Sequence, residues 1–419
     1  MTPPAVLDYT LQRVRSVLAL ATRSKQATFP YRDSANALAY IESRFQAFDA
    51  QLASIPLEAD GKTVTIFCET IVREVANALQ AIGFISNSNG TNCPFEFHSP
   101  FAAITCKALA KQTGLLISAD WEFSPYTVIY PNQLGDKFVM VGLPASEADN
   151  PLILPLAGHE LGHNIWRFQH SLQKQIGSQI TDEINSLVRG KYRTEVREIF
   201  DIEETLIDEP DLLSPWLTAH PWAIAQTEEV FCDLIGLNMF GDAYLHAFEY
   251  IISPGSSYRS PRYPSMKDRV GYLVRAANLL GIAVPSGYFA HMPEPEATSN
   301  PVEELLLSLS DSASAKIVDD LIPAVTDFCV KRNIRFPVQA SDRSLIDSAF
   351  RRRMPAVNVG SMADILIAGW NIYLSERPVW NFEESPGIID RTRRIAILRE
   401  LILKNFEIFM TEQLMSSDK

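Results

Sequence analysis

Cysteine is scarce in this chain of 419 residues: Cys68, Cys93, Cys106, Cys232 and Cys329 are few, odd in number and scattered. No C-x-x-C pair occurs, so the spacing suggests neither a disulfide framework nor a cysteine zinc site, and a reducing compartment fits best. Long apolar runs are missing too. No stretch approaches the roughly 18 apolar residues of a membrane-spanning helix, and Leu152 to Leu156 is far too short. The opening Met1-Thr2-Pro3-Pro4-Ala5 has no basic segment followed by an apolar one, as a secretory signal would. A cytoplasmic protein with no membrane partner is therefore expected. Positive charge is also short. The 37 Lys and Arg against 50 Asp and Glu leave a net charge of −13, which argues against nucleic acid as a partner. The deficit is uneven: Glu198 to Tyr258 holds twelve acidic residues and no Lys or Arg. Such a stretch is either a solvated surface or an acidic cleft wall that favours cationic substrates. Arg351, Arg352, Arg353, Arg391, Arg393, Arg394 and Arg399 make the C-terminal part locally basic and read as solvated helix faces. There is no internal repeat and no low-complexity tract.

What is present is ordinary globular material, 47% apolar and 21% charged, in a length that suggests two or three units. Apolar residues at helical spacing predict helices over Val6 to Ala21, Asp33 to Ala53 and Thr63 to Ile82. The polar Ser86 to Asn92 breaks the pattern, and a further helix is expected over Pro100 to Gln112. Strands are then predicted at Gly114 to Ser118, Tyr126 to Tyr130 and Phe138 to Val141, with a turn at 131–136 and an end at Gly142-Leu143-Pro144. A mostly apolar helix follows over Leu156 to Phe168, after an N-cap at Asn150-Pro151 or a start at Pro155. Pro210, Pro215 and Pro221 interrupt the chain before a helix from Trp222 to Phe240. Ser253 to Pro264 and Pro285 to Pro301 read as loops, and 302–419 as helices. The expected fold is α+β: mainly α-helical, with a small β-sheet preceding the 156–168 helix. The regions are a helical 1–113, a central 114–285 and a helical 286–419.

That central helix carries His159-Glu160-Leu161-Gly162-His163. Residues four apart share a helix face, so both imidazoles can bind one ion, while Glu160 can reach a water on it. This is the spacing of zinc hydrolases. Composition alone would place it in about one such chain in a hundred. The bland alternative is a helix with two satisfied core histidines.

A catalytic zinc site needs a third protein ligand. A third histidine on H-E-x-x-H-x-x-G-x-x-H would fall at 169, which is Gln169, and His170 misses by one. The alternative is a later glutamate followed four residues on by an aspartate. The aspartate can hydrogen-bond a ligand histidine and fix its tautomer. Glu204-x-x-x-Asp208 lies in an acidic, proline-terminated run and reads as surface. Glu229-Val230-Phe231-Cys232-Asp233 continues into Leu234-Ile235-Gly236-Leu237, reads as a buried helix, and is preferred. Glu228 is the neighbouring fallback.

Together, His159-Glu160-x-x-His163 and Glu229-x-x-x-Asp233 resemble the gluzincin group of zinc metallopeptidases. Tyr263-Pro264-Ser265-Met266-Lys267-Asp268-Arg269 resembles the H-P-x-x-x-x-R segment of its CAAX-prenyl-endopeptidase-like branch, with tyrosine where that pattern has histidine. The resemblance covers about residues 115 to 275. It implies a zincin-like catalytic core over 114–285 and a Zn2+ cofactor. His159, His163 and Glu229 would be its ligands, Asp233 a supporting residue and Glu160 the base.

The expected activity is hydrolysis of a peptide bond in a protein or peptide substrate. The small sheet would offer an edge strand to pair with that substrate. For the donor that stabilises the tetrahedral intermediate, Tyr263 is favoured over Arg262, Tyr258 and His246. Two alternatives stand beside this reading. One is a catalytically idle zincin-fold protein that binds or regulates a partner; the intact Glu160 argues against it. The other is a hydrolase of a non-peptide amide, against which the long helical flanks argue.

Overall fold

A computed structural model describes residues 3–29, 31–56, 59–88, 95–120, 125–127, 137–208, 214–253, 255–290, 292–336, 343–375 and 391–417. The described residues are mostly helical with one three-stranded sheet, an α+β composition. Among the described residues no helix is long and apolar enough to cross a membrane. The chain divides into two compact units: Met1–Cys106 with Lys111–Asp149, and Lys107–Ala110 with Asn150–Lys419.

The first unit is built on α1 (Pro3–Ser24), α2 (Arg32–Ala53) and α3 (Gly61–Asn87). Their apolar residues recur at helical spacing, so each helix buries one stripe: Val14, Val17 and Ala21; Leu38, Ile41 and Phe45; Val64, Cys68, Ile71 and Val75. Each buried aliphatic side chain contributes about 1.5–3 kcal/mol. Asp60 starts α3 by accepting the Thr63 N–H, which satisfies one of the donors a helix start leaves open.

After α4 (Phe95–Leu109) come β1 (Gly114–Asp120), β2 (Tyr126–Thr127) and β3 (Phe138–Pro144). The order is β1-β3-β2, with β1 parallel and β2 antiparallel to β3. Every residue of β3 is buried. The strand runs through Gly142-Leu143-Pro144, which the residue pattern read as its end, because the ladder with β1 continues to the pair Asp120–Pro144. Residues 128–130 of the expected second strand, the 131–136 turn and most of the polar 86–92 loop lie outside the described residues.

The outer edge of β1 is closed by side chains. Asp33 Oδ2 accepts the Leu115 N–H at 2.8 Å, His98 Nε2 lies 2.8 Å from the Leu115 carbonyl, and the Tyr31 hydroxyl donates to the Ile117 carbonyl. An extended substrate would have to displace all three. The expectation that an edge strand is open for pairing does not hold for β1.

In the second unit Asn150 accepts the Leu152 N–H of a single 3-10 turn, Pro151–Ile153. Then α5 (Leu156–Trp166) begins, buried along its whole length. It stops two residues before the expected Phe168, and α6 (His170–Arg189) starts afresh with His170 exposed at its head. After α7 (Arg193–Phe200), α8 (Ser214–Phe240) begins eight residues before the expected Trp222. Proline did not prevent this. Pro215 sits in the first turn, where its missing N–H has no helical partner to lose, and Pro221 lies on the solvent face. The remaining helices are α9 (Asp242–Ile252), α10 (Met266–Leu280), α11 (Pro301–Lys331), α12 (Arg343–Arg351), α13 (Met362–Tyr373) and α14 (Arg391–Ser417). Trp370 of α13 donates its indole N–H to the Leu152 carbonyl at 3.1 Å, which fixes the turn leading into α5.

Candidate metal centre

The site lies where α5 crosses α8, and glycine makes the crossing close. A Cβ on Gly162 would stand 2.7 Å from Cys232 Cα, and one on Gly158 would stand 3.2 Å from Gly236 Cα. Gly236 in turn leaves space for the ring of Tyr244, which a Cβ there would meet at 2.3 Å. Backbone meets backbone, so His159 and His163 of α5 stand directly against Glu229 and Asp233 of α8.

Both imidazoles are oriented by carboxylates. His159 Nδ1 lies 2.8 Å from Asp233 Oδ1, and His163 Nδ1 lies 2.8 Å from Glu228 Oε1. An ionised carboxylate only accepts, so each Nδ1 carries the hydrogen. In a neutral ring the Nε2 atom is then a bare lone pair. Those atoms face Glu229: His159 Nε2 lies 3.3 Å from Oε2, and His163 Nε2 lies 3.8 Å from Oε1. Lone pairs and a carboxylate at such distances repel unless a cation stands between them. Zinc donors about 2.0–2.2 Å from the ion in a tetrahedron lie about 3.3 Å apart, close to what is seen. Without a metal, a proton does the same work. Burial pulls His159 down, but Asp233 and Glu229 outweigh it and push the ring up to about 10.

Behind the first layer stands Arg269 of α10. Its Nε donates to Asp233 Oδ2 at 2.5 Å, its Nη2 donates to Asp233 Oδ1 at 2.8 Å, and Nη2 lies 3.8 Å from Glu229 Oε2. The Tyr244 hydroxyl donates to Asp233 Oδ1 at 2.6 Å. Burial raises the Asp233 carboxyl, yet Arg269 and then His159 overcome it and hold the group below its usual range. Glu160 is different. It is buried, and its carboxylate has no hydrogen-bond partner among the described residues. Burial pushes its pKa up, against the pull of His159 and His163. A buried carboxylate with no protein partner is suited to hold and pass a proton. The four carboxylates Glu160, Glu228, Glu229 and Asp233 are met by two guanidiniums, Arg262 and Arg269. With neutral histidines and all four carboxylates ionised, two negative charges remain unbalanced. The donor set and the charge together fit a divalent cation.

Cys232 enters here against the sequence reading, which found no reason to place a cysteine at a metal. His159, His163 and Cys232 are all buried and offer donor atoms within 4.8 Å of one another, a group that could hold an ion. Cys232 follows Glu229 by three positions on α8, hence on the same face, and that spacing was the available signal. Its closeness to α5 depends on Gly162, which no spacing could reveal. Glu229 is the other neighbour of the two rings, with its oxygens 3.3 Å from His159 Nε2 and 3.8 Å from His163 Nε2. Arg269 and Tyr244 reach Asp233 from α10 and α9, and no spacing in the sequence assigns either a role.

Tyr263 is 40% exposed and lies 5.6 Å below the Arg269 guanidinium. Burial and then Glu229 raise its pKa. Arg262 donates Nε–H to Glu229 Oε1 at 3.3 Å. Two other donor candidates lie differently: Tyr258 is 72% exposed, and His246 stacks on Trp370. Glu204 is exposed and paired with Arg193 and Arg197. The acidic run 198–258 therefore divides. Glu204 and Asp208 bind Arg193, Glu228, Glu229 and Asp233 hold the site, and Glu249 accepts the Phe289 N–H. Glu209 and Asp211 of the run lie outside the described residues. No known protein family, curated protein or solved structure matches this chain.

Proposed function

We propose that the chain is a zinc-dependent hydrolase of peptide bonds, a metallopeptidase of gluzincin type with a zincin-like core. His159, His163 and Glu229 are its ligands. One observation carries the reading: two imidazole lone pairs and a carboxylate converge at 3.3 and 3.8 Å, the separation of donors that share one ion. An ion held there would polarise the scissile carbonyl and acidify a water. The rest falls to the chain. Asp233 and Glu228 hold the imidazole rings in the ligating tautomer. Arg269 keeps Asp233 ionised. Glu160 takes a proton on its carboxylate and delivers it to the leaving amine, aided by a raised pKa. Tyr263 and Arg262 are the donors available at the open side of the site. The intact, partnerless Glu160 favours catalysis over an idle binding role.

The test is metal content with and without the base. Wild type and Glu160→Gln should each retain about one zinc per chain, and only wild type should cleave a peptide library. Absence of zinc from wild type sinks the proposal. Cleavage by Glu160→Gln at the wild-type rate removes Glu160 from the mechanism.

A further inference from the structure

His159, Glu160, His163, Glu229, Asp233 and Arg269 are buried, whereas Arg262 is 64% exposed along its side chain. Arg262 thus stands where the site meets solvent. Its Nε–H goes to Glu229, its backbone N–H goes to Ser260 Oγ at 3.2 Å, and its guanidinium lies 5.7 Å from the Tyr263 ring. The two terminal nitrogens have no partner among the described residues. The residue is held in place from below. Arg259, three positions earlier, donates Nη2–H to Asp311 Oδ2 at 2.7 Å and Nη1–H to Glu304, both on α11. Asp311 also accepts from Gln226 of α8 at 2.7 Å. The loop carrying Arg262 is therefore anchored to the same helix that supplies Glu229.

We propose, on the reading of the site as a zinc peptidase centre, that Arg262 is a specificity residue: its free fork receives a carboxylate of the substrate beside the scissile bond. Planar, paired N–H donors match a carboxylate in two-point contact. The Nε–Glu229 bond fixes the fork next to the metal position. The acidic run does not oppose this, since its described members near the site are already engaged with His159, His163, Arg262 and Arg269. The preferred substrate is thus anionic at this subsite, the reverse of what the acidic run suggested. The carboxylate is either that of an aspartate or glutamate side chain or the C-terminus of the chain.

The experiment uses zinc-loaded full-length protein and three hydroxamates of one scaffold, ending in leucine amide, leucine carboxylate or aspartate amide. Hydroxamate chelates the ion, so binding of the leucine amide probe reports the metal centre alone. Wild type should bind one or both anionic probes about tenfold or more tightly than the leucine amide, and which one identifies the source of the carboxylate. Arg262→Ala also removes the Nε–H bond to Glu229, so each variant is read by its own ratio of anionic to leucine amide affinity, and in Arg262→Ala that ratio should fall to about one. Arg262→Lys should restore part of it. Arg262→Glu should invert it, and added salt should shrink it because the group is exposed. Equal binding of all three probes by wild type, or a preference that survives in Arg262→Ala, overturns the assignment. Failure of every probe together with absence of zinc overturns the metal reading itself, and this assignment with it.

Discussion

Two buried histidines, one in each unit, are used in opposite ways. His98 in the first unit lies against the ring of Tyr31 at 3.9 Å, and its Nε2 is spent on the Leu115 carbonyl. Burial lowers its pKa, so the ring is held neutral and its work is structural. His159 in the second unit gives its Nδ1 to Asp233 and leaves Nε2 facing Glu229, an acceptor facing an acceptor. The difference lies in the number of carboxylates. His98 has Asp33 at 3.6 Å, whereas His159 stands among Glu160, Glu229 and Asp233. A buried imidazole whose outward nitrogen meets a carbonyl closes a strand edge. One whose outward nitrogen meets a carboxylate calls for a cation.

Substitution at the two positions separates them most sharply. His159→Ala and His163→Ala should each abolish zinc binding, while His98→Ala should leave the metal content at one per chain. The latter should cost about 1–3 kcal/mol of stability, because the Leu115 carbonyl then loses its partner. Metal analysis with denaturant titration reads both. Zinc lost in His98→Ala but kept in His159→Ala would falsify the division.

The supporting shell gives the next largest effect. Asp233→Ala removes the partner of a buried Arg269 and of His159 together. Leaving that guanidinium unpaired should cost about 3–5 kcal/mol, and zinc affinity should fall roughly 10- to 100-fold. If stability and affinity both stay at wild-type values, the Asp233–Arg269 pair is not what orients His159.

The choice of third ligand sharpens the comparison further. Glu229→Ala should weaken zinc binding more than Cys232→Ala, and Glu204→Ala should leave it unchanged. Cys232 packs at Gly162, so Cys232→Ala should cost mainly packing, about 1 kcal/mol. An absorption band from a cobalt–thiolate bond in the cobalt-substituted protein, lost in Cys232→Ala, would instead make Cys232 a ligand.

How far these features were legible differs by the kind of interaction. His159, Glu160 and His163 lie on one helix, where a spacing of four puts the two imidazoles on one face with Glu160 beside them. Glu229 and Asp233 were readable for the same reason, once apolar neighbours had separated their helix from the surface run around Glu204. Arg269 and Glu228 act across elements: no spacing assigns Arg269 a role, and Glu228, the fallback for the third ligand, instead holds His163 Nδ1. Cys232 reaches the imidazoles only because Gly158, Gly162 and Gly236 let two backbones touch. The closed edge of β1 was equally hidden, since Asp33 and Leu115 lie 82 positions apart. Proline misled at 215 and 221, where position within the helix and exposure mattered more than residue type.

A third histidine gives the comparison a control and the smallest effect. His246 of α9 stacks on Trp370 at 5.4 Å. Burial alone pulls its pKa down from 6.5 to about 4. The folded-state pKa is thus below the unfolded one, so folding binds fewer protons. The neutral ring contributes stability that is fully present above about pH 6.5 and is lost as pH falls toward 4. For a partly exposed group the loss amounts to about 2 kcal/mol. His246→Phe keeps a ring against Trp370 and has nothing to titrate. Denaturant unfolding from pH 7.5 to 4 should therefore show a shallower decline for the variant than for wild type, with zinc content equal in both at pH 7.5. Parallel declines would mean that His246 takes up its proton in the folded state as readily as in the unfolded chain. Burial without a charged partner would then not suffice to hold a histidine neutral in this fold.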